Sequence, residues 1–192
     1  MTTKAITESG MEFDAEELVA LARIDLRQNR QDRALLKLKA AVRQPTCPPA
    51  GFSLIGQVYA DLGLFSHAQE WLGRYIEQNP KSPTELFQLG LTHLELGDRD
   101  QAKALWSSVL ELMPNHPPAL YFTAVAAALD NRNEDARRDL LQLFRSAASD
   151  NQYVQQGKEL LSRLDANLEA VKPVPAAYAV PNDGGTPGAL SH

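Results

Sequence analysis

Two consecutive stretches decide the fold of this chain: residues 49–82, PAGFSLIGQVYADLGLFSHAQEWLGRYIEQNPKS, and residues 83–116, PTELFQLGLTHLELGDRDQAKALWSSVLELMPNH. The second stretch repeats the proline, glycine and alanine positions of the first at an interval of 34 residues. The matching positions are Pro49 and Pro83, Gly56 and Gly90, Gly63 and Gly97, Ala68 and Ala102, and Pro80 and Pro114. Because several kinds of residue share one interval, the sequence predicts a structural repeat of that length.

The same interval extends beyond these two stretches in both directions. Alanine and proline recur at this interval, and asparagine takes the place of the mid-repeat glycine. Asparagine and glycine both suit the left-handed conformation that ends a helix. The further positions are Ala34, Ala136, Pro117, Asn29 and Asn131. No proline interrupts the apolar segments between the proline clusters. Each repeat is therefore predicted to be a pair of helices joined by a short turn.

Two helix starts have the spacing of a capping box, in which the side chains of the first and fourth residues each bind the other's backbone N–H. Asp14 stands three residues before Glu17, and Ser82 stands three residues before Glu85. We expect helices to begin at both places.

This period of paired helices resembles the tetratricopeptide repeat (TPR) family, whose pattern is an aromatic residue, Leu-Gly, Tyr, Ala, an aromatic residue and Pro. Residues 49–82 match as Phe52, Ile55-Gly56, Tyr59, Ala68, Leu72 and Pro80, and residues 83–116 match as Leu86, Leu89-Gly90, His93, Ala102, Trp106 and Pro114. The resemblance implies an all-α fold, a right-handed α-solenoid of about four helix-turn-helix units.

The register divides the chain into an array and three flanking segments. The array covers residues 15–150, as repeats 15–48, 49–82, 83–116 and 117–150. Residues 151–170 place apolar side chains on one side and charges on the other, which predicts a capping helix. We expect residues 1–13 to be flexible, and residues 171–192 to form a disordered tail because proline, glycine and alanine dominate it.

The resemblance also implies a binding site, since the first helix of each TPR repeat lines a concave groove that binds extended or helical peptides. Register places the groove residues at Arg23 and Arg27, at Ser53 and Gln57, at Phe87, Leu91 and Leu94, and at Tyr121 and Val125. This groove runs from a basic end to an apolar and aromatic end. The Lys, Arg and Asn residues that grip acidic chaperone tails in some family members are missing from the second and third repeats, so we expect no such docking.

Each of these interpretations has an alternative. Phe87 and Tyr121 are core residues if the register is slightly displaced, and Arg23 and Arg27 belong to a solvated helix face. Trp71 is a candidate anchor for self-association. The helix at residues 118–129, PALYFTAVAAAL, has no charge, so neighbouring helices, a partner or a second copy must cover it.

Composition and motif content argue against several classes of function. The chain of 192 residues has 19 Lys and Arg against 24 Asp and Glu, so a role in coating nucleic acid is not expected. The single cysteine, Cys47, and four scattered histidines form no catalytic or metal-binding motif. No stretch is apolar enough for membrane insertion. We expect no enzyme, cofactor or metal, and a cytoplasmic protein; the short acidic chain suggests a bacterial one.

The sequence therefore predicts a protein–protein interaction module, a TPR adaptor or scaffold that holds a partner peptide or helix in its groove. Two alternatives remain open: a self-assembling structural scaffold, and a dedicated chaperone for a secreted or assembly-prone client.

Overall fold

The computed structural model describes residues 5–6 and 12–166. Within them, two short strands, β1 (Ala5–Ile6) and β2 (Glu12–Phe13), pair antiparallel inside the segment that we expected to be flexible. The predicted disordered tail, residues 171–192, lies outside the described residues. So does the end of the predicted capping segment.

The described part of the chain continues as nine helices, arranged as four successive pairs and a final single helix. Their bounds are α1 (Ala15–Arg27), α2 (Gln31–Ala41), α3 (Pro49–Asp61), α4 (Phe65–Gln78), α5 (Pro83–Glu95), α6 (Arg99–Leu112), α7 (Pro117–Leu129), α8 (Asn133–Ser146) and α9 (Gln152–Asp165). The two helices of each pair pack together, each pair packs on the next, and α9 packs against α7 and α8. The predicted all-α solenoid is confirmed.

The residues that predict turns and helix starts adopt the expected backbone conformations and positions. All four mid-repeat turn residues have a positive φ: Asn29 at 55°, Gly63 at 70°, Gly97 at 84° and Asn131 at 59°. The repeated prolines occupy the first position of α3, α5 and α7, where a missing N–H loses no helical hydrogen bond.

One of the two predicted capping boxes forms. At the start of α1, Asp14 Oδ1 accepts from Glu17 N, and Glu17 Oε2 accepts from Asp14 N, both at 2.9 Å. Helix α5 begins where expected, with Ser82 at its N-cap position, but the second box does not form because Ser82 makes no side-chain capping bond. Glu85 instead accepts a hydrogen bond from Ser53 Oγ at 2.9 Å, which joins the second repeat to the third.

The two helices of a central repeat approach closely because a glycine faces a large side chain. A Cβ placed at Gly56 would lie 2.7 Å from Leu72 Cγ, and one at Gly90 would lie 2.3 Å from Trp106 Nε1. Trp106 is fully buried, and its indole N–H donates to the Phe87 carbonyl oxygen at 3.4 Å. The glycines of the repeat pattern therefore make room for the core.

The start of α7 is capped by a histidine. His116 Nδ1 accepts a hydrogen bond from Ala119 N at 3.2 Å, and the imidazole ring lies 5.4 Å from the Phe87 ring. Burial lowers the pKa of His116 below its ordinary value of 6.5. Both the cap and the burial require the neutral imidazole.

We expect the array to lose stability in acid partly through His116. Above pH 6.5 the imidazole is neutral in both states, so its contribution is complete. As the pH falls below that value towards the lower folded pKa, the unfolded chain gains the proton first, and folding is disfavoured. His116→Asn keeps a capping side chain without titrating. Between pH 7.5 and 5.5 its thermal midpoint should fall less than that of the unchanged protein; equal falls would contradict this role.

Candidate functional site

The residues of the predicted basic end of the groove lie on α1 and are exposed to solvent. Arg23 and Arg27 lie one helical turn apart on α1, and both are exposed. Neither forms an ion pair or a hydrogen bond within the described residues. Their neighbour Asp25 is buried and pairs instead with Lys37 and with Arg30, the latter at 3.8 Å. Two unpaired guanidinium groups are thus available on one helix face.

The second repeat contributes less surface than the register predicted. Ser53 is 6% exposed, and its hydroxyl is already bonded to Glu85. Gln57 is partly exposed, and its amide has no hydrogen-bond partner in the described residues. Gln57 is the side chain of this pair that a partner can reach.

In the third repeat the predicted groove residues lie mainly in the core. Phe87 and Leu91 are 6% and 8% exposed. The Phe87 ring lies 5.7 Å from the Phe122 ring and 6.4 Å from the Trp106 ring, inside an aromatic cluster. Leu94 is partly exposed and rests against that cluster. This burial agrees with the alternative interpretation of Phe87 as a core residue.

Helix α9 packs on α7, which carries the predicted apolar end of the groove. Val125 is 4% exposed, and the partly exposed Tyr121 ring lies 5.8 Å from the ring of Tyr153 on α9. Burial, followed by the nearby Glu159 and Tyr153, raises the pKa of Tyr121. The sequence pattern predicts a capping helix at residues 151–170, but it does not reveal that Tyr153 lies beside Tyr121.

The two candidate surfaces for self-association, Trp71 and α7, are in contact with neighbouring side chains. Trp71 is partly exposed, but its ring stacks with Phe52 at a centroid distance of 6.0 Å, and Arg74 Cζ lies 4.5 Å from its centre. The uncharged helix α7 has eight buried residues among neighbours that include α8 and α9. Self-association through either surface stays a prediction.

Metal-binding clusters and the cysteine thiol are the features of the described residues that bear on chemistry other than binding. Among these residues, no three His, Cys, Asp or Glu side chains are grouped so that they could hold a metal ion. Burial raises the pKa of the Cys47 thiol to about 11, which leaves it protonated and a poor nucleophile at neutral pH. No helix in this part of the chain is both long and apolar enough to cross a membrane.

Comparison with known proteins agrees with the predicted kind of repeat. Residues 87–152 match the tetratricopeptide repeat family model. The fold is shared with MamA, residues 41 to the end, from Desulfovibrio magneticus RS-1, with a TM-score of 0.70 and 18% identity, covering 85% of this chain and 87% of that one. No curated protein sequence matches significantly.

Two further solved structures have the same fold. A tetratricopeptide repeat protein from Parabacteroides merdae ATCC 43184 has a TM-score of 0.69 and 22% identity, covering 80% of this chain and 60% of that one. YrrB, described as a TPR protein with an unusual peptide-binding site, has a TM-score of 0.69 and 23% identity, covering 76% and 75%. Residues 87–152 therefore match tetratricopeptide repeats, as the sequence predicted, and the described residues share the fold of solved tetratricopeptide repeat proteins. This fold is that of protein–protein interaction modules.

Proposed function

We propose that this protein is a non-enzymatic adaptor or scaffold that holds a segment of another protein along the first helices of its repeats. The observation that carries the proposal is the pair of exposed guanidinium groups of Arg23 and Arg27, which have no partner among the described residues. Guanidinium groups bind carboxylates through paired hydrogen bonds, and two of them one turn apart can hold a short acidic segment.

The other accessible groove positions indicate the chemistry of the rest of the partner segment. The Gln57 amide, which has no partner among the described residues, can bond to a peptide backbone, while Leu94 and Tyr121 offer partly exposed apolar surface. The partner segment is therefore acidic where it meets α1 and apolar where it meets α5 and α7. The peptide-binding site of YrrB supports peptide binding as a function of which this fold is capable.

Charge reversal at the basic end tests this proposal. Arg23→Glu combined with Arg27→Glu should reduce the amount of partner captured from native cell extract about 10-fold or more, because two charge-assisted contacts become repulsive. Arg33→Glu is the matched control, since Arg33 is exposed on α2 and has no partner among the described residues. Partners would be identified and quantified by mass spectrometry.

Recovery of equal amounts of partner on the double variant and on the unchanged protein would contradict the groove as the binding surface. Both Arg positions are exposed, so the double variant is expected to keep its helix content by circular dichroism. Phe87→Ala is unsuitable for this purpose, since loss of a buried aromatic side chain damages the core.

A dedicated chaperone is a special case of the same binding mode. It predicts that the captured client is insoluble when produced alone and soluble when produced with this protein. Light scattering over a wide concentration range separates both roles from a self-assembling scaffold, which requires a mass that rises with concentration. The coverage of Trp71 and α7 by the chain itself supports a partner other than a second copy.

A further inference from the structure

Helix α1 exposes an apolar side chain at a position that each later repeat buries. Ile24 is 41% exposed. Its counterparts at the 34-residue interval are Val58, Thr92 and Ala126, which are 0%, 0% and 3% exposed. Helices α3, α5 and α7 each pack on the second helix of the repeat before them. No described helix precedes α1, so Ile24 lacks the cover that its counterparts have.

The other end of the described array is closed by a helix with a polar outer side. Within α9 the exposed residues are Gln152, Gln155, Gln156, Lys158, Glu159, Ser162 and Asp165. A solenoid end that faces water normally has such a polar surface. On α1, by contrast, Ala20 is exposed one helical turn before Ile24. This difference between the two ends indicates that another helix covers α1.

The charges of α1 are arranged so that a second copy of the same helix complements them. Glu16, Ala20, Ile24 and Arg27 are exposed and follow one another at intervals of three or four residues, so they share one helix face. Glu16 lies in the first turn and Arg27 in the last, about 16 Å apart along the helix axis. Neither forms an ion pair or a hydrogen bond within the described residues. An antiparallel helix of the same sequence would bring each acidic end to a basic end, with the apolar residues between them.

We propose that this face of α1 binds α1 of a second copy, in an antiparallel pair with two-fold symmetry. Ala20 and Ile24 of one copy pack on those of the other, and Glu16 of each copy pairs with Arg27 of the other. A two-fold pair uses the same face on both copies, so the assembly stops at two chains. A single helix about 20 Å long offers less area than the roughly 1,200 Å² that stable dimers bury, so we expect a weak dimer.

The dimer does not rest on the proposed adaptor function, although the two share Arg27. A bound acidic segment and the second copy would compete for that guanidinium group. Ile24 is outside the predicted groove residues, so a change there tests the dimer and leaves both groove arginines in place.

Sedimentation equilibrium of the purified full chain measures the association. Between about 10 and 500 µM the mean mass should rise from one chain towards two and go no further, unlike that of a self-assembling scaffold. Ile24→Asp should weaken the association about 10-fold or more, because it places a charge in the apolar middle of the contact. Leu36→Asp is the matched control: Leu36 is 70% exposed on α2, outside this face, and its variant should associate like the unchanged chain.

Two outcomes of this measurement would overturn the proposal. One is a mass that stays at one chain over the whole range. The other is a rise in mass that Ile24→Asp leaves unchanged, since the contact would then lie elsewhere. Both variants change exposed side chains, and circular dichroism checks that their helix content is retained.

A mixing experiment tests the antiparallel arrangement. Glu16→Lys gives α1 two positive ends and Arg27→Glu gives it two negative ends, so each variant alone should associate about 10-fold more weakly. An equimolar mixture should regain the association, because the new lysine of one variant meets the new glutamate of the other while the unchanged Glu16 and Arg27 still meet. No gain in mass on mixing would refute the arrangement. No partner is present in either measurement, so the dimer and the adaptor function can fail separately.

Discussion

Gly90→Ala is expected to destabilise the array by about 3 kcal/mol, at the upper end of what overpacking a core usually costs. The new Cβ would lie 2.3 Å from Trp106 Nε1 and 2.8 Å from Cδ1 of the same ring. Trp106 is fully buried and cannot swing into solvent, and its movement would break the hydrogen bond to Phe87 O. Urea unfolding followed by circular dichroism measures the loss.

Two matched variants show whether the cause is the close contact. Gly73→Ala also changes a helical glycine, but no atom lies within 4 Å of its Cβ, so it should be neutral or stabilising by about 0.5–1 kcal/mol. Gly90→Ala combined with Trp106→Leu should recover part of the loss, because it recreates the alanine and leucine that the fourth repeat has at Ala124 and Leu140. No recovery in the double variant would show that the clash is not the reason.

Removal of the last helix is expected to have the other large effect. A chain that ends at Ser149 lacks α9, whose Tyr153, Val154, Leu160 and Leu164 are buried. Its loss would expose the apolar surface of α7 and α8 that α9 covers. A solenoid without its terminal cap exposes its core, so we expect aggregation or a thermal midpoint lower by about 10 °C or more.

The matched control is a chain that ends at Ala166, which keeps all of α9. It should retain the thermal midpoint of the full chain, in line with the prediction that the tail is disordered. Differential scanning fluorimetry and size-exclusion chromatography measure both effects. A chain ending at Ser149 that stays monomeric with an unchanged midpoint would show that α9 is not a structural cap.

The two capping boxes show where prediction from sequence succeeds and where it stops. Asp14 and Glu17 lie at a helix start where neither side chain has a competing partner, so their spacing is enough to determine the cap. Ser82 and Glu85 have the same spacing, but Glu85 bonds to Ser53, which is 32 residues away in sequence. A local pattern does not reveal such a competitor.

The predicted groove residues also show where prediction from sequence stops. The positions of Arg23 and Arg27 on one face of α1 follow from the helical period alone. The burial of Phe87 and Val125 depends on the aromatic cluster and on the cap, which the register of a single repeat does not include. The hydrogen bond from Gln44 Nε2 to the Phe13 carbonyl oxygen has no sequence signal, because the two residues come together only through packing.

The sequence by itself determined the repeat length, the helix starts at the repeated prolines and the turns at Asn29, Gly63, Gly97 and Asn131. These features depend on φ preferences and on contacts within one or two helical turns, which the local sequence specifies. Only the tertiary structure decided which side chains of the first helices stay accessible and which are buried. Those properties depend on which distant residue covers each position, and a periodic sequence leaves that choice to the packing of its neighbours.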